Sequence, residues 1–424
     1  MNEKYLHFIW KSKRLLTTDL HTASGEKLNI KNFGEYNFDS GPDFFNGAVL
    51  IEDILHHGNI EMHVNSSDWI KHGHQNDPAY NNVILHVVYN HDTEILVNDH
   101  PLPTLELKYL IDWKHFNNSP RKLEFQNTIP CDKQLSEVAV ETISSQLKKN
   151  THDRLQRKAS EIDFLFETMQ LSIHELLFHV VLRSFGGKLN GLPFLELANR
   201  IPVYHFLRSG VQIREAILLG ASGFLDDLFT DDYELLLKSD WVFQKHKLTL
   251  SNLDPASLKF KGVRPGSFPA LRLVQFAHFS SRFDWSHNFW TDEPAEILDL
   301  FLRSLIVKTN NYWAEHYHLG KKKSKPDSGS LSQEMAENIV INAVVPFLFW
   351  YGQKYGNIAL LNKAVELLEL IPQEKNKIVE RWQKLTAYPN NARFGQAIIE
   401  LNNQWCTPKK CLKCLIGKEV MSLT

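Results

Sequence analysis

Residues 58–74 read GNIEMHVNSSDWIKHGH. Their first half decides what the N-terminal part of the chain builds. From Asn59 to Asn65 polar and apolar residues alternate, which is the period of a β-strand with one face on a core. Ile60, Met62 and Val64 share the core face; Glu61, His63 and Asn65 share the other. The second half breaks that period. Ser66, Ser67 and Asp68 open a turn, and Gly73 separates His72 from His74 so that two imidazoles can converge. Glu61, His63, Asp68, His72 and His74 thus bring ligand-type side chains into one strand and the turn after it.

The segments around this strand follow the same logic. Upstream, SGPDFFNGAVLIED (40–53) starts a strand at Asp43, after Gly41-Pro42, and a hairpin would set Asp43 beside Glu61. EKLNIKN (26–32), VILHVVYN (83–90) and TEILVND (93–99) are further short β-branched runs. YLHFIWKSKRLL (5–16) has helical spacing. From about residue 134 the period becomes helical, beginning with SEVAVETISSQLKKNTHDRLQRKASEIDFLFETM (136–169), where Arg154, Arg157 and Lys158 lie close together on one helix. Helical patterns then run through NIALLNKAVELLELI (357–371), interrupted by GKKKSKPDSGSLSQ (320–333), which reads as a mobile loop. The fold class is therefore α+β: an N-terminal mixed α/β domain with a short-stranded sheet, residues 1–130, followed by a large all-helical domain, residues 131–424.

The 424 residues fit about two or three domains. Hydrophobic content of 43 % and charged content of 23 % are those of a globular chain that needs no disulfide staples. A net charge of −2 argues against bulk attraction to nucleic acid and leaves only a local basic groove. No apolar run reaches a membrane span and the N-terminus lacks a secretory signal, so a cytoplasmic protein with no membrane partner is expected.

The chemistry starts from Asp43, Glu61 and His63. Two carboxylates converging with a basic side chain hold Mg²⁺ or Mn²⁺ for phosphodiester cleavage, where the ion makes hydroxide and steadies developing charge. The order Pro42-Asp43, then Glu61-Met62-His63 on the next strand, resembles the PD-(D/E)XK nuclease core, with His63 where that core has lysine. The resemblance implies Asp43 and Glu61 as metal ligands, His63 as ligand or base, and nucleic acid as substrate. Eight of the twenty histidines fall between positions 56 and 100. A second metal reading uses His63, His72 and His74 with Glu61 or Asp68 to hold Zn or Fe, as hydrolases and oxygenases do. His86, inside an apolar run, reads as a core histidine. The plainest alternative is a charged, solvated strand face.

The four cysteines are Cys131, in TIPCDK, and Cys406, Cys411 and Cys414, in WCTPKKCLKCLIG. Four thiolates suit tetrahedral Zn²⁺ or an iron–sulfur cluster. The one-plus-three layout is similar to the iron staple of AddB-type helicase–nucleases, with a different spacing inside the triplet. A redox-active pair or ordinary free thiols are the alternatives.

No phosphate-binding glycine loop, dinucleotide fingerprint or nucleophile elbow is present. GVRPGSFPALRLVQ (262–275) offers Arg264 and Arg272 to nucleic-acid phosphate, against the plainer reading of a loop capping a helix. Trp313 and Tyr317 read as core packing in preference to base stacking. The run from GPDF through GNIEMHVNSSDWIKHGHQNDPAYNNVILHVVYNHD, with RPGSFPALRLVQ and CLKCLIG, resembles an uncharacterised bacterial domain-of-unknown-function family along essentially the whole chain. The leading expectation is a metal-dependent nucleic-acid-processing protein or a degenerate relative. The competing ones are a non-catalytic scaffold with purely structural metal, and a Zn- or Fe-dependent hydrolase or oxygenase at the histidines.

Overall fold

The computed structural model describes residues 3–11, 13, 15–37, 41–97, 100–111 and 129–423. Ser12, Arg14, Asn98 and Asp99, which belong to the expected first helix and fifth strand, lie outside them. The chain divides into two compact units, Met1–Asn127 and Thr128–Thr424. The fold is α+β, with the strands concentrated in the first unit and a large helical region in the second.

The first unit opens with helix α1 (Glu3–Lys11), then strands β1 (Leu20–His21), β2 (Lys27–Asn32), β3 (Glu35–Tyr36), β4 (Phe44–Ile51) and β5 (Ile54–Asn65). A single turn of helix α2 (Asp68–Lys71) and two short 3₁₀ turns follow. Then come β6 (Val83–Asn90), a small hairpin of β7 (Leu96–Val97) and β8 (His100–Pro101), and β9 (Thr104–Glu106). The main sheet runs β1-β2-β4-β5-β6-β9, with β3 also pairing β4. β4 and β5 are antiparallel with Phe44 opposite Ile60, while β5 and β6 are parallel with Glu61 opposite His86. That parallel pair is why residues 66–82 must cross over one face of the sheet. The other face carries the apolar set read from the sequence. Ile60, Met62, Leu85, Val87 and Leu105 are fully buried against Leu6, Ile9 and Trp10 of α1. Each such side chain contributes roughly 1.5–3 kcal/mol by leaving water.

In the second unit a long helix, α3 (Val140–Met169), leads a set of helices around one large apolar core that includes Phe178, Phe276, Trp313 and Trp350. The charged cluster on α3 is structural. Arg154 is buried with Nη2 2.9 Å from Asn342 Oδ1, and Arg157 pairs with Glu400 at 2.7 Å. Residues 320–333 are mostly loop, as expected, apart from the two-residue strand Lys321–Lys322, and Gln275 Nε2 donates to Gly329 O at 2.8 Å. The helix Gln333–Lys354 has the length and composition of a membrane span, contrary to expectation, yet 72 % of its most apolar part is buried in the core.

Candidate metal centre

The alternation in β5 holds, but the polar side is not solvated. Glu61 is 4 % exposed and His63 0 %, and His86 of β6, also 0 % exposed, joins them on that face. The crossover makes the cover. Ser66 is pinned where it leaves β5, donating to Thr93 O at 2.7 Å and accepting from the Asp92 and Thr93 amides. Trp69 from α2 and Tyr80, packed with Val83, Ile95 and Leu102, close over the imidazoles. The alternative of a solvated strand face is therefore overturned: large aromatic side chains replace water there.

The turn brings two more histidines to the site, His74 buried under this cover and His72 exposed at its edge. His72 caps α2, Gly73 takes the left-handed conformation with φ 77°, and His74 begins a 3₁₀ turn. A residue with a Cβ would be strained at that φ, so Gly73 lets the chain reverse within one residue. The ligand nitrogens of His63, His72 and His74 all lie within 4.8 Å of one another. His63 Nε2 is 3.1 Å from His72 Nδ1, and Glu61 Oε1 is 3.6 Å from His63 Nε2 and 3.2 Å from His74 Nε2. Tyr80 stacks on the His74 ring at 3.8 Å.

Asp43 meets Glu61 as the hairpin predicts, though it acts as a brace. Its amide donates to Glu61 Oε2 at 3.0 Å, and its Oδ2 accepts from the Met62 amide at 2.9 Å and sits 3.1 Å from His7 Nε2. Two residues of α1 thus enter the site, His7 and also Glu3, whose Oε1 is 4.0 Å from His63 Nε2. Sequence reading missed both; the only signal was a glutamate and a histidine one helical turn apart. Asp68 faces elsewhere. Its carboxylate accepts from the Asn65 amide at 3.0 Å and from Lys71 Nζ at 2.7 Å, which makes it a turn-closing group and removes it from the ligand set.

The electrostatics follow from burial. Desolvation, with three neighbouring imidazoles, pushes His63 down to about 2, and burial takes His86 down to about 3. Both rings are therefore neutral at physiological pH. His63 Nδ1 lies 2.9 Å from His86 Nε2, so the pair shares one proton and fixes which nitrogen of His63 faces the cluster. Burial, and then the Asp43 charge, raises Glu61 to about 9. The nitrogens of His63, His72 and His74, converging beside the Glu61 carboxyl, form a donor set for a transition-metal ion.

The other sequence candidates lie in the second unit. Cys131, Cys406 and Cys414 share one apolar cluster, with Cys411 in the turn beside them. Arg264 is exposed. Arg272 is not available to phosphate: it is 7 % exposed and bonds Ser267 Oγ and Gln275 Oε1, each at 2.9 Å. Trp313 is fully buried, its Nε1 donating to Tyr233 Oη at 2.9 Å. A cavity of ≈ 450 Å³ that sequence reading missed is lined by residues that include Glu215, Tyr233, His278, Asn310 and Tyr312. Glu215 there pairs with His278 Nε2 at 2.8 Å and accepts from Tyr233. The only hint was an acidic residue inside the apolar run IREAILLGA.

Residues 3–377 match the model of a family described as protein of unknown function (DUF2851). No curated protein and no solved structure matches the chain.

Proposed function

The chain belongs to the DUF2851 family of proteins of unknown function, and from the chemistry of its own buried site we propose that the N-terminal unit is a metal-dependent phosphodiesterase acting on nucleic acid. One observation carries the reading: the nitrogens of His63, His72 and His74 converge within 4.8 Å of one another beside the Glu61 carboxylate. That donor set favours Mn²⁺ or Zn²⁺ over Mg²⁺, which prefers oxygen ligands. Asp43 holds the second Glu61 oxygen through its amide, and His86 orients His63; both act behind the ligands. Glu3, with its side chain 41 % exposed, and the exposed His72 mark the side from which substrate and water would reach the ion. An ion there would lower the pKa of a bound water and stabilise charge on a phosphoryl oxygen. Phosphodiester is the substrate class because of the Pro42-Asp43 and Glu61-Met62-His63 order on adjacent strands, now with Asp43 and Glu61 in contact.

A second reading rests on burial. Structural metal sites are closed, and Glu61 and His63 are almost fully covered. The scaffold alternative takes the same ion as a folding clamp. Both are tested by measuring bound metal and the cleavage of single- and double-stranded DNA and RNA with Mn²⁺ and Zn²⁺, in wild type and Glu61→Gln. Cleavage lost together with metal supports the phosphodiesterase. Metal bound by wild type without cleavage of any substrate supports the clamp. Wild type that binds no metal removes both.

A further inference from the structure

A buried carboxylate with no lysine or arginine beside it lines the cavity of the helical unit. Glu215, on the helix Val211–Ala221, is 1 % exposed. Among the described residues the only basic side chain that it pairs with is His278, on the helix Pro269–Arg282. A charge so placed is costly unless hydrogen bonds replace the water it gave up. Three side chains supply them. Tyr233, on the helix Asp232–Leu248, donates its hydroxyl to Glu215 Oε2. Asn310 Nδ2 lies 3.3 and 3.4 Å from the two carboxylate oxygens, and His278 Nε2 lies 2.8 Å from Oε1. Tyr233 Oη is itself held, accepting from Asn310 Nδ2 at 2.8 Å and from Trp313 Nε1 at 2.9 Å. Burial, and then the Glu215 charge, push that hydroxyl far above its ordinary 10, so it remains a donor. An apolar residue at 215 would spare the fold this whole network, and its presence beside a cavity points to a use beyond packing.

The same network decides what the walls offer a ligand. His278 gives its Nε2 proton to Glu215, so the neutral ring keeps its lone pair on Nδ1, which bonds to no described residue. Gln212 spends its Nε2 on Asp240 Oδ2 at 2.7 Å, which leaves the amide oxygen. Tyr312 spends its hydroxyl on Glu234 and accepts from the Gly320 amide at 2.9 Å. Apart from the exposed Asn311, the lining side chains are therefore left with acceptors. No lysine or arginine lines the cavity, and the carboxylates in or behind its walls are Glu215, Glu234 and Asp240. The tilted rings of Tyr233 and Tyr312, with centroids 4.7 Å apart, add π surface. A volume of ≈ 450 Å³ suits a small molecule. Acceptors, aromatic rings and negative charge together match a cation that carries N–H donors.

We propose that this cavity binds a small organic molecule bearing a primary ammonium group, which donates to His278 Nδ1 and Gln212 Oε1 while the Glu215 carboxylate balances its charge. Glu215 is a positioning residue here, because its oxygens are already bonded and it acts on the ligand through His278 and through its field. The site lies within the helical unit and shares no residue with the histidine centre.

The test titrates the full chain by calorimetry, in a buffer free of amines, with propylamine, putrescine and phenethylamine. Each amine is run beside its N-acetylated form, and propionate and inorganic phosphate are run as anions. The expected result is saturable binding of at least one amine that its N-acetylated form does not reproduce. That binding should weaken about 10-fold or more in Glu215→Gln, which removes the balancing charge. To guard against a Glu215→Gln chain that fails to fold, Gln212→Leu removes one acceptor from the half-buried wall and should weaken the same binding about 10-fold. Circular dichroism confirms that each variant is folded. Wild type that binds none of the amines overturns the proposal, as does equal binding of an amine and its N-acetylated form. Folded Glu215→Gln or Gln212→Leu that binds as tightly as wild type also overturns it. So does binding of propionate or phosphate in place of the amines, which would make the cavity an anion site.

Discussion

Replacing His86 by leucine separates the support of the histidine site from its ligands. His86 is fully buried, and its Nε2 lies 2.9 Å from His63 Nδ1. For His63 to offer Nε2 to an ion, its proton must sit on Nδ1, and His86 Nε2 is the acceptor that holds it there. Leucine fills comparable space and accepts nothing. The buried Nδ1–H then loses its partner, at a cost of about 1–3 kcal/mol. The ring also loses the bond that fixes its tautomer and its aim. Removing an outer partner of this kind weakens metal affinity by about 10–100-fold, which is about 1.4–2.8 kcal/mol. His86→Gln keeps an acceptor oxygen and should recover much of the loss. The assay is a competition titration of Zn²⁺ and Mn²⁺ against a chelating dye at neutral pH, with circular dichroism to confirm that each variant is folded. If folded His86→Leu binds metal as tightly as wild type, the assigned role of His86 is wrong. If His86→Leu and His86→Gln weaken equally, packing and not the tautomer sets the affinity.

Three further outcomes follow from the helical unit. Gly220→Ala places a Cβ 2.0 Å from the Trp241 ring, and overpacking of this kind should cost about 1–3 kcal/mol, read as a lower urea midpoint. Arg154 is held down to about 10 by burial, and its Nη1 has no partner among the described residues; Arg154→Met should leave stability unchanged or raise it, whereas Asn342→Leu, which strips the guanidinium of its bond, should cost about 1–3 kcal/mol. Both are read as shifts of the same urea midpoint. Ser172 and Glu175 form a capping box in which the Ser172 amide, and then its hydroxyl, holds the Glu175 carboxyl below its ordinary 4.5. Its folded value lies below its unfolded one, so its contribution is fully present above 4.5 and fades as pH falls through the folded value. Ser172→Ala should therefore cost about 0.5–2 kcal/mol at neutral pH and less in strong acid, where the bond from its hydroxyl to the Glu175 carboxylate fades and only the one it accepts from the Glu175 amide remains, measured by thermal melts under both conditions.

Much of the sheet was legible because its signals are local. VILHVVYN became a strand with the bounds read for it, and Glu61 and His63 share a face as period two requires. Asp43 reached Glu61 because a hairpin leaves few other registers. Gly73 announced the turn that joins His72 to His74. What stayed hidden depends on distant packing. No pattern in residues 59–65 says that a crossover carrying Trp69 and Tyr80 will cover the polar side, and this decides whether His63 and His86 are solvated or neutral and buried. Glu3 and His7 enter only because α1 docks its apolar side on the sheet. Glu215, Tyr233, His278 and Asn310 come from four separate segments, and each alone reads as an ordinary helix or loop residue. Arg272 misled for the same reason: nothing in RPGSFPALRLVQ shows that its guanidinium turns inward to Ser267 and Gln275.

All three imidazoles of the candidate centre belong to one strand and the crossover that leaves it. Bringing His63 to His74 closes only a short loop, and the entropy of doing so grows slowly with length. This geometry separates the lifetime of a bound ion from the lifetime of the fold. Exchange would need only the segment 66–82 to lift, a local opening that leaves the sheet paired. If the site holds an ion as proposed, its occupancy would follow the free metal around the protein within the life of a single molecule, a continuous sampling of the supply and not a record of it at the moment of folding.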